Sequence, residues 1–543
     1  MVFARRSTTL LAAIIASCAM VLSLTACTSD NKTVVDGQTT VTSNSAGGVA
    51  VFTPSDGITL NQQMPLNKWA KLMPDLTKAL VDAGFKKGDI NHTTSDSLDK
   101  QSRAIQDFVV DHLSNNTTDD SGIAIAPDNM TLLVAPVVEA DASTRQYGDY
   151  VSQNLSTNDV TDEGATSDGE SSEDDSSKDD SSNTESDSTA SDEQAQAVDR
   201  LVSSLKLAKE SGMHVVLLGN SIEGYKPDAF VKFSDAQTIG KLQAEKMVSK
   251  LKLDKASKDN PKYIEVLLPY TAMDEKGNAN DSTFAQEAFR GIWQVLGSYY
   301  QKGVVESPSG TLDGKSTEND WQAVAYDAAK EGSTAKVLDK RLAKTDGQST
   351  LTRIDGIITM NDYIASEVVK ELDDLGYTGS AADINPQITI SGIVGNITGK
   401  KDLSRDAVPD PIKSPENDNA NDSSSSDDDA DKDTSASDKD RDSQWPLVTG
   451  YGAYVSNIPS IVNGKQWMTG MEDRQTIATD IAQACAKLNK DEALNSMPSI
   501  RNSEVGGVKK IPTISEPLLA VSAGNLKSAL IDPGYISLAD AGL

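Results

Sequence analysis

The side chains that most often perform chemistry are scarce in this chain. Of 543 residues, three are histidine and three are cysteine. His92, His112 and His214 stand far apart, and none is spaced with Cys, Asp or Glu in the manner of metal ligands. His92 falls in a strand or turn, His112 at a helix end and His214 at a strand start, so surface roles are expected. There is no P-loop, no G-x-G-x-x-G and no G-x-S-x-G. The stretch "DDDADKD" (427–433) crowds carboxylates as a calcium loop would, but it lacks the central Gly and the closing Glu. Neither an enzyme nor a resident metal or cofactor is expected. Cys485 lies in "RQTIATDIAQACAKL", where Ile477, Ile481, Cys485 and Leu488 share one helical face, so it reads as a small core residue.

Carboxylates are plentiful instead, and unevenly placed. The formal charge is -31, of which residues 159–193 contribute -13 and residues 416–442 contribute -8, leaving about -10 elsewhere. Stretches such as "SSEDDSSKDDSSNTESDS" and "SSSSDDDADKDTSASDKDRDS" cannot bury enough apolar surface to offset their ordering entropy. They predict two long disordered insertions. One spans about 156–194; the other, about 415–443, lies inside a larger insertion of about 388–444. So acidic a surface argues against nucleic acid, whose phosphates need clustered Lys and Arg.

The N-terminus, "MVFARRSTTLLAAIIASCAMVLSLTACTSD", has Arg5 and Arg6, an apolar run, and small residues before Cys27. That is the layout of an export signal. Leu24-Thr25-Ala26-Cys27 resembles the lipobox of bacterial lipoproteins. The resemblance implies a diacylated Cys27, loss of residues 1–26, and a flexible tether over 27–47. The protein is then expected to be exported and held by lipid on the outer face of the cytoplasmic membrane.

From Gly48 onward, apolar runs alternate with helical periodicity. "GGVAVFTP", "DINHTT", "NMTLLVAPVV" and "HVVLLGNS" read as strands. Between them lie amphipathic helices marked by Leu66, Trp69, Leu72, Met73, Leu76 and Leu80, then by "QSRAIQDFVVDHL" and "AVDRLVSSLKLAKESGM". The first acidic tract interrupts this series within a strand-to-helix connection, where long insertions cost little. A second series follows through "YIEVLLPY", "FRGIWQVL", "GVVES", "IDGIITMND" and "YIASEVVKELDDLGY". Continuous apolar strands alternating with helices predict an α/β fold of two Rossmann-like lobes with parallel sheets. "PQITISGIVG" and "WPLVTGYG" compete to be the strand leading back to the first lobe, and the second is preferred.

Several stretches, collinear over most of 48–543, carry a family resemblance. "NKWAKLMPDLTKALVDAGF", "DKQSRAIQDFV", "TLLVAPV", "DAFVKFSDAQTIGKLQAEKMVSKL", "TMNDYIASEVVKEL", "VNGKQWMTGMEDRQTIA" and "LKSALIDPGYIS" resemble the type I periplasmic binding proteins, closest to the xylose-binding and multiple-sugar-binding lipoproteins of ABC sugar importers. "YVSQ" (150–153) has no counterpart and opens the acidic insertion. The resemblance implies a first lobe over 48–223, a second over 224–450, a return over 451–510, and a final crossover and tail over 511–543, joined as a three-segment hinge. It implies a monomer that closes on a small polar solute, a saccharide above all, and hands it to ABC permease subunits.

By motif position the expected ligand-binding residues are Lys68, Asn220, Asp235, Phe284, Trp321, Asn361, Asp362 and Tyr451. The pattern departs from the family at several of them. Gly219-Asn220 replace a usual Asp-Arg pair, Ser234-Asp235 an Asp-Asn pair, Thr283-Phe284 an Asn pair, and Tyr451-Gly452 a Gln-Asp pair. A pocket for a different solute, or a surface sensory or interaction protein with an altered pocket, follows from these changes. Each residue also has a structural reading: a helix-start carboxylate for Asp362, lobe core for Trp321, packing for Phe284 and a turn for Asn220.

Overall fold

The computed structural model describes residues 33–35, 38–40, 46–56, 65–115, 125–138, 146–156, 185–273, 280–328, 330–343, 351–381 and 445–543. Cys27, most of both acidic tracts and the 388–392 strand lie outside the described residues. Two compact units, Met1–Ser45 and Ala46–Leu543, divide the chain. In the first, β1 (Thr33–Val35) pairs antiparallel with β2 (Gln38–Thr40).

The second unit begins with β3 (Gly48–Pro54), α1 (Trp69–Asp82), β4 (Ile90–Ser95), α2 (Leu98–Asn115), β5 (Met130–Val134) and β6 (Asn154–Leu155). It continues with α3 (Glu185–Glu210), β7 (His214–Leu218), β8 (Ser221–Ile222), β9 (Ala229–Lys232), α4 (Ala236–Leu251), β10 (Lys262–Val266) and β11 (Leu268–Pro269). Then come α5 (Thr283–Gln301), β12 (Val305–Glu306), β13 (Ala325–Tyr326), α6 (Ser333–Arg341), β14 (Gly356–Ile358), α7 (Asp362–Asp374) and β15 (Leu447–Val448). The chain ends with α8 (Ile458–Val462), β16 (Met468–Met471), α9 (Arg474–Leu488), β17 (Ile500–Val505), β18 (Val508–Ser515) and β19 (Leu519–Ser522).

The first lobe is a seven-stranded sheet in the order β17-β18-β9-β7-β5-β3-β4, parallel except for the β17–β18 hairpin. Both its faces are covered, which explains the continuous apolar strands. Val49 and Val51 of β3 face α1 and α9, packing with Leu72, Leu76, Ile477 and Cys485. Ala50 and Phe52, one residue out of phase, face α2 and α3 through Ile105, Val109, Leu201 and Leu205. The second lobe has the parallel order β12-β10-β14-β15. Ile264, Val266 and Ile358 pack with residues of α4 and α5 such as Ile239 and Phe289, whereas Ile357 and Val448 pack with Leu338 of α6 and Val368 of α7.

Strand membership differs from the expected boundaries in two places. Residues 224–450 are expected in the second lobe, yet β9 hydrogen-bonds to β7 and β18 of the first sheet. Its four residues carry no local mark of which sheet they join. The return expected from residue 451 comes later, because a parallel bridge between Tyr451 and Gly470 places β16 alongside the end of β15. The lobes are therefore linked at residues 233–235, 472–473 and 516–518. The preferred stretch, "WPLVTGYG", carries β15, which pairs in parallel with β14 of the second sheet. His112, expected on the surface, is buried against Phe108 at 5.9 Å between ring centroids. Among the described residues no helix is long and apolar enough to cross a membrane.

Candidate functional site

Both sheets end, at their carboxyl edges, in loops that carry most of the expected ligand-binding residues. In open α/β sheets this edge is where ligands are held, because strand ends and helix N-termini converge there. Residues 146–155, just before the first acidic tract, run between the two edges and touch both lobes.

On the first lobe, Asp149 is the anchor. Its carboxylate accepts from Lys68 Nζ at 2.8 Å and from the Trp69 backbone N–H at 3.1 Å, at the start of α1. A helix N-terminus and an ammonium both favour the anion there. The Asp149 N–H donates to the Asn67 carbonyl at 2.8 Å. Asp56 shares this helix end through the Ala70 N–H at 3.2 Å; burial and the neighbouring Asp149 carboxyl raise its pKa to about 6. The Tyr150 ring stacks on Phe233 at 4.8 Å and meets Trp69 edge-on at 5.1 Å, and its hydroxyl donates to the Lys68 carbonyl. Further on, the Ser152 N–H donates to the Ser234 carbonyl at 2.8 Å. The Gln153 N–H donates to Asn220 Oδ1 at 3.0 Å, while Asn220 Nδ2 donates to the Pro136 carbonyl at 2.9 Å. β6 then pairs in parallel with β8.

On the second lobe, the Tyr147 ring lies 4.8 Å from Phe284 and 6.3 Å from Tyr451. Gln146 accepts from Asn361 Nδ2 at 3.1 Å through its side chain and from the Tyr454 hydroxyl at 2.7 Å through its carbonyl. Tyr147 and Tyr150 are each 1% exposed, and they belong to the cores of different lobes. Burying an aromatic ring contributes about 2–3 kcal/mol. Gly148 makes the passage possible: at φ +96° its missing side chain would stand 2.6 Å from the Asn67 carbonyl oxygen.

Five of the eight expected residues, Lys68, Asn220, Phe284, Asn361 and Tyr451, thus converge on one internal segment. The other three do not touch it through any contact described above. Asp235 caps α4 through the Thr238 N–H at 2.7 Å and pairs with Lys232 at 2.7 Å. Trp321 is buried in the second lobe, edge-on to Tyr270 at 5.1 Å. Asp362 is the first residue of α7 and fully buried. It accepts from the Tyr454 N–H at 2.9 Å, Gln466 Nε2 at 2.7 Å and Thr469 Oγ1 at 2.9 Å. Burial raises its carboxyl to about 6 against the pull of those donors.

A second buried cluster joins the crossovers themselves. Ser234 Oγ and the Tyr451 hydroxyl, 2.5 Å apart, both donate to the Glu472 carboxylate. Burial holds the Glu472 carboxyl above its usual range. Sequence reasoning singled out neither Glu472 nor Gln146, Tyr147, Asp149 and Tyr150. The available signal was "QYGDY", which sets two aromatic residues and a turn glycine directly ahead of a tract that otherwise holds no ring.

No protein-family model matches the chain, and no curated protein matches it. Solved structures do. One is an ABC transporter solute-binding protein from Clostridium phytofermentans with bound β-D-glucose; it shares 17% identity, with 91% of this chain and 99% of that one covered and a TM-score of 0.44. A carbohydrate transporter solute-binding protein from Chloroflexus aurantiacus, in complex with D-glucose, shares 18% identity over 92% and 98%, with a TM-score of 0.43. An arabinose-binding protein from Geobacillus stearothermophilus shares 9% over 89% and 99%, at 0.41. The fold itself rests on the chain's own strand order and its three crossovers. It is the type I periplasmic-binding architecture. Residues 146–155 lie between the strand ends of its two sheets.

Proposed function

We propose that this protein is a membrane-anchored extracellular solute-binding lipoprotein that captures a sugar or similar small polar solute between its lobes and delivers it to an ABC permease. The observation that carries the reading is the convergence of Lys68, Asn220, Phe284, Asn361 and Tyr451, from loops of both sheets, on one cleft. Contacts from both lobes to one occupant favour closure, the physical basis of two-lobe capture. Asp362 stands behind this ring as a positioning group, since it accepts from the Tyr454 N–H and the Tyr454 hydroxyl donates to Gln146. Anchoring through Cys27 rests on the lipobox-like sequence; Cys27→Ser is expected to release the chain from the membrane into the medium.

A second reading, a surface sensory or interaction protein with an altered pocket, is favoured by a specific observation: the cleft residues already hold a segment of their own chain. Thermal melting of the full-length protein in detergent, against mono- and oligosaccharides, nucleosides and related polar solutes, separates the two. A solute at 100 times its Kd stabilises by about 2.7 kcal/mol. A stabilising hit that Asn361→Ala removes supports capture, and a panel flat both for the unaltered protein and for a variant with residues 146–153 replaced by Gly and Ser supports the second reading.

A further inference from the structure

We infer that residues 146–155 are an internal occupant of the cleft, which holds the two lobes together without solute and must leave before a solute can enter. This rests on reading the cleft as a solute site. The segment does what a captured solute would do. It presents one ring to the second lobe, Tyr147 against Phe284 and Tyr451, and one to the first, Tyr150 against Phe233 and Trp69. It places a carboxylate, that of Asp149, on the ammonium of Lys68 and the N-terminus of α1. It satisfies the hydrogen-bonding side chains that end β7 and β14, Asn220 and Asn361.

Two features distinguish an occupant from an ordinary loop. Its contacts fall on both lobes and on Ser234 of the 233–235 crossover, so it opposes their opening. It is also tethered: β6 pins its far end to β8, so it competes at an effective concentration of about millimolar. A free solute of ordinary affinity therefore meets a cleft already filled, and anything that draws the segment out would expose it.

The test uses the full-length chain and needs no known solute. In the unaltered protein, the amides of Asp149, Ser152 and Gln153, hydrogen-bonded to Asn67, Ser234 and Asn220, are expected to exchange with deuterium about 100-fold more slowly than free amides. Exchange at the free rate overturns the proposal. A variant with residues 146–153 replaced by Gly and Ser is expected to show a larger radius of gyration by X-ray scattering. The synthetic peptide QYGDYVSQ added to it should bind and restore the smaller value, and should not bind the unaltered protein. Unchanged scattering together with no peptide binding overturns the proposal. Should the variant fail to fold, the exchange of the unaltered chain still decides. The saccharide panel, repeated on the variant, tests the underlying reading separately. Stabilisation in the variant alone shows the segment excluding solute, whereas peptide rebinding with a flat panel keeps the occupant and removes the sugar reading.

Discussion

At the scale of single residues, Asp362 shows how burial and hydrogen bonding oppose each other. Three donors stabilise its charge, yet desolvation wins and lifts its carboxyl to about 6. The native protein therefore takes up a proton that the unfolded chain, at the same pH, releases. Stability from this group is present at low pH and is lost as pH rises from about 4 to 6. The two-unit gap corresponds to roughly 3 kcal/mol. Asp362→Asn cannot titrate, so urea denaturation between pH 4 and 6 should show a shallower loss of stability than the unaltered protein, by up to that amount. A slope unchanged by the substitution would place the titration elsewhere. Gly450 supports the same site, because a side chain there would stand 2.1 Å from Asp362 Oδ1.

At the scale of elements, the segment 146–155 depends on one backbone conformation. Gly148→Ala adds a methyl group 2.6 Å from a backbone oxygen at φ +96°, and a cost of about 1–3 kcal/mol is expected. Gly310→Ala is the control, since its φ of +72° carries the left-handed penalty with nothing within 4 Å. Urea denaturation should show the larger loss for Gly148→Ala, and only that variant should speed exchange at Asp149 and Gln153. Equal effects would mean that the close approach to Asn67 is relieved without cost. The helices were legible here because their periodicity is local: Ile477, Ile481 and Cys485 do share the buried face of α9 that their spacing predicts. β9 was legible as a strand but not as a member of the first sheet. Its partners, β7 and β18, lie on either side of it in the sheet and nearly 300 residues away in sequence in one case.

At the scale of the whole molecule, the larger insertion is tied down at its base. The Ala381 N–H donates to the Gly464 carbonyl at 2.9 Å, and Trp445 Nε1 donates to the carbonyl of Lys465, the next residue, at 2.7 Å. Its two ends thus meet on one loop. Loop length then matters little, about 0.6 kcal/mol for each doubling. Replacing residues 382–444 by a short Gly/Ser linker removes a net charge of -8 and is expected to leave the melting temperature within a few degrees, measured by calorimetry. A drop far beyond that would show that the insertion carries part of the core.

Local pattern by itself determined that this chain alternates strands and helices, that its strands are covered on both faces, and where the alternation is interrupted. Those features follow from neighbours within a few residues, as with Val49 and Ala50 on opposite faces of β3. Only the tertiary structure decided which sheet β9 joins, where the chain crosses between lobes, and that Tyr147 and Tyr150 sit in different cores. These outcomes depend on pairings such as Tyr147 with Tyr451 and Gln153 with Asn220. Distant residues of this kind leave no periodic trace in the sequence, because each contact is set by the packing of whole elements.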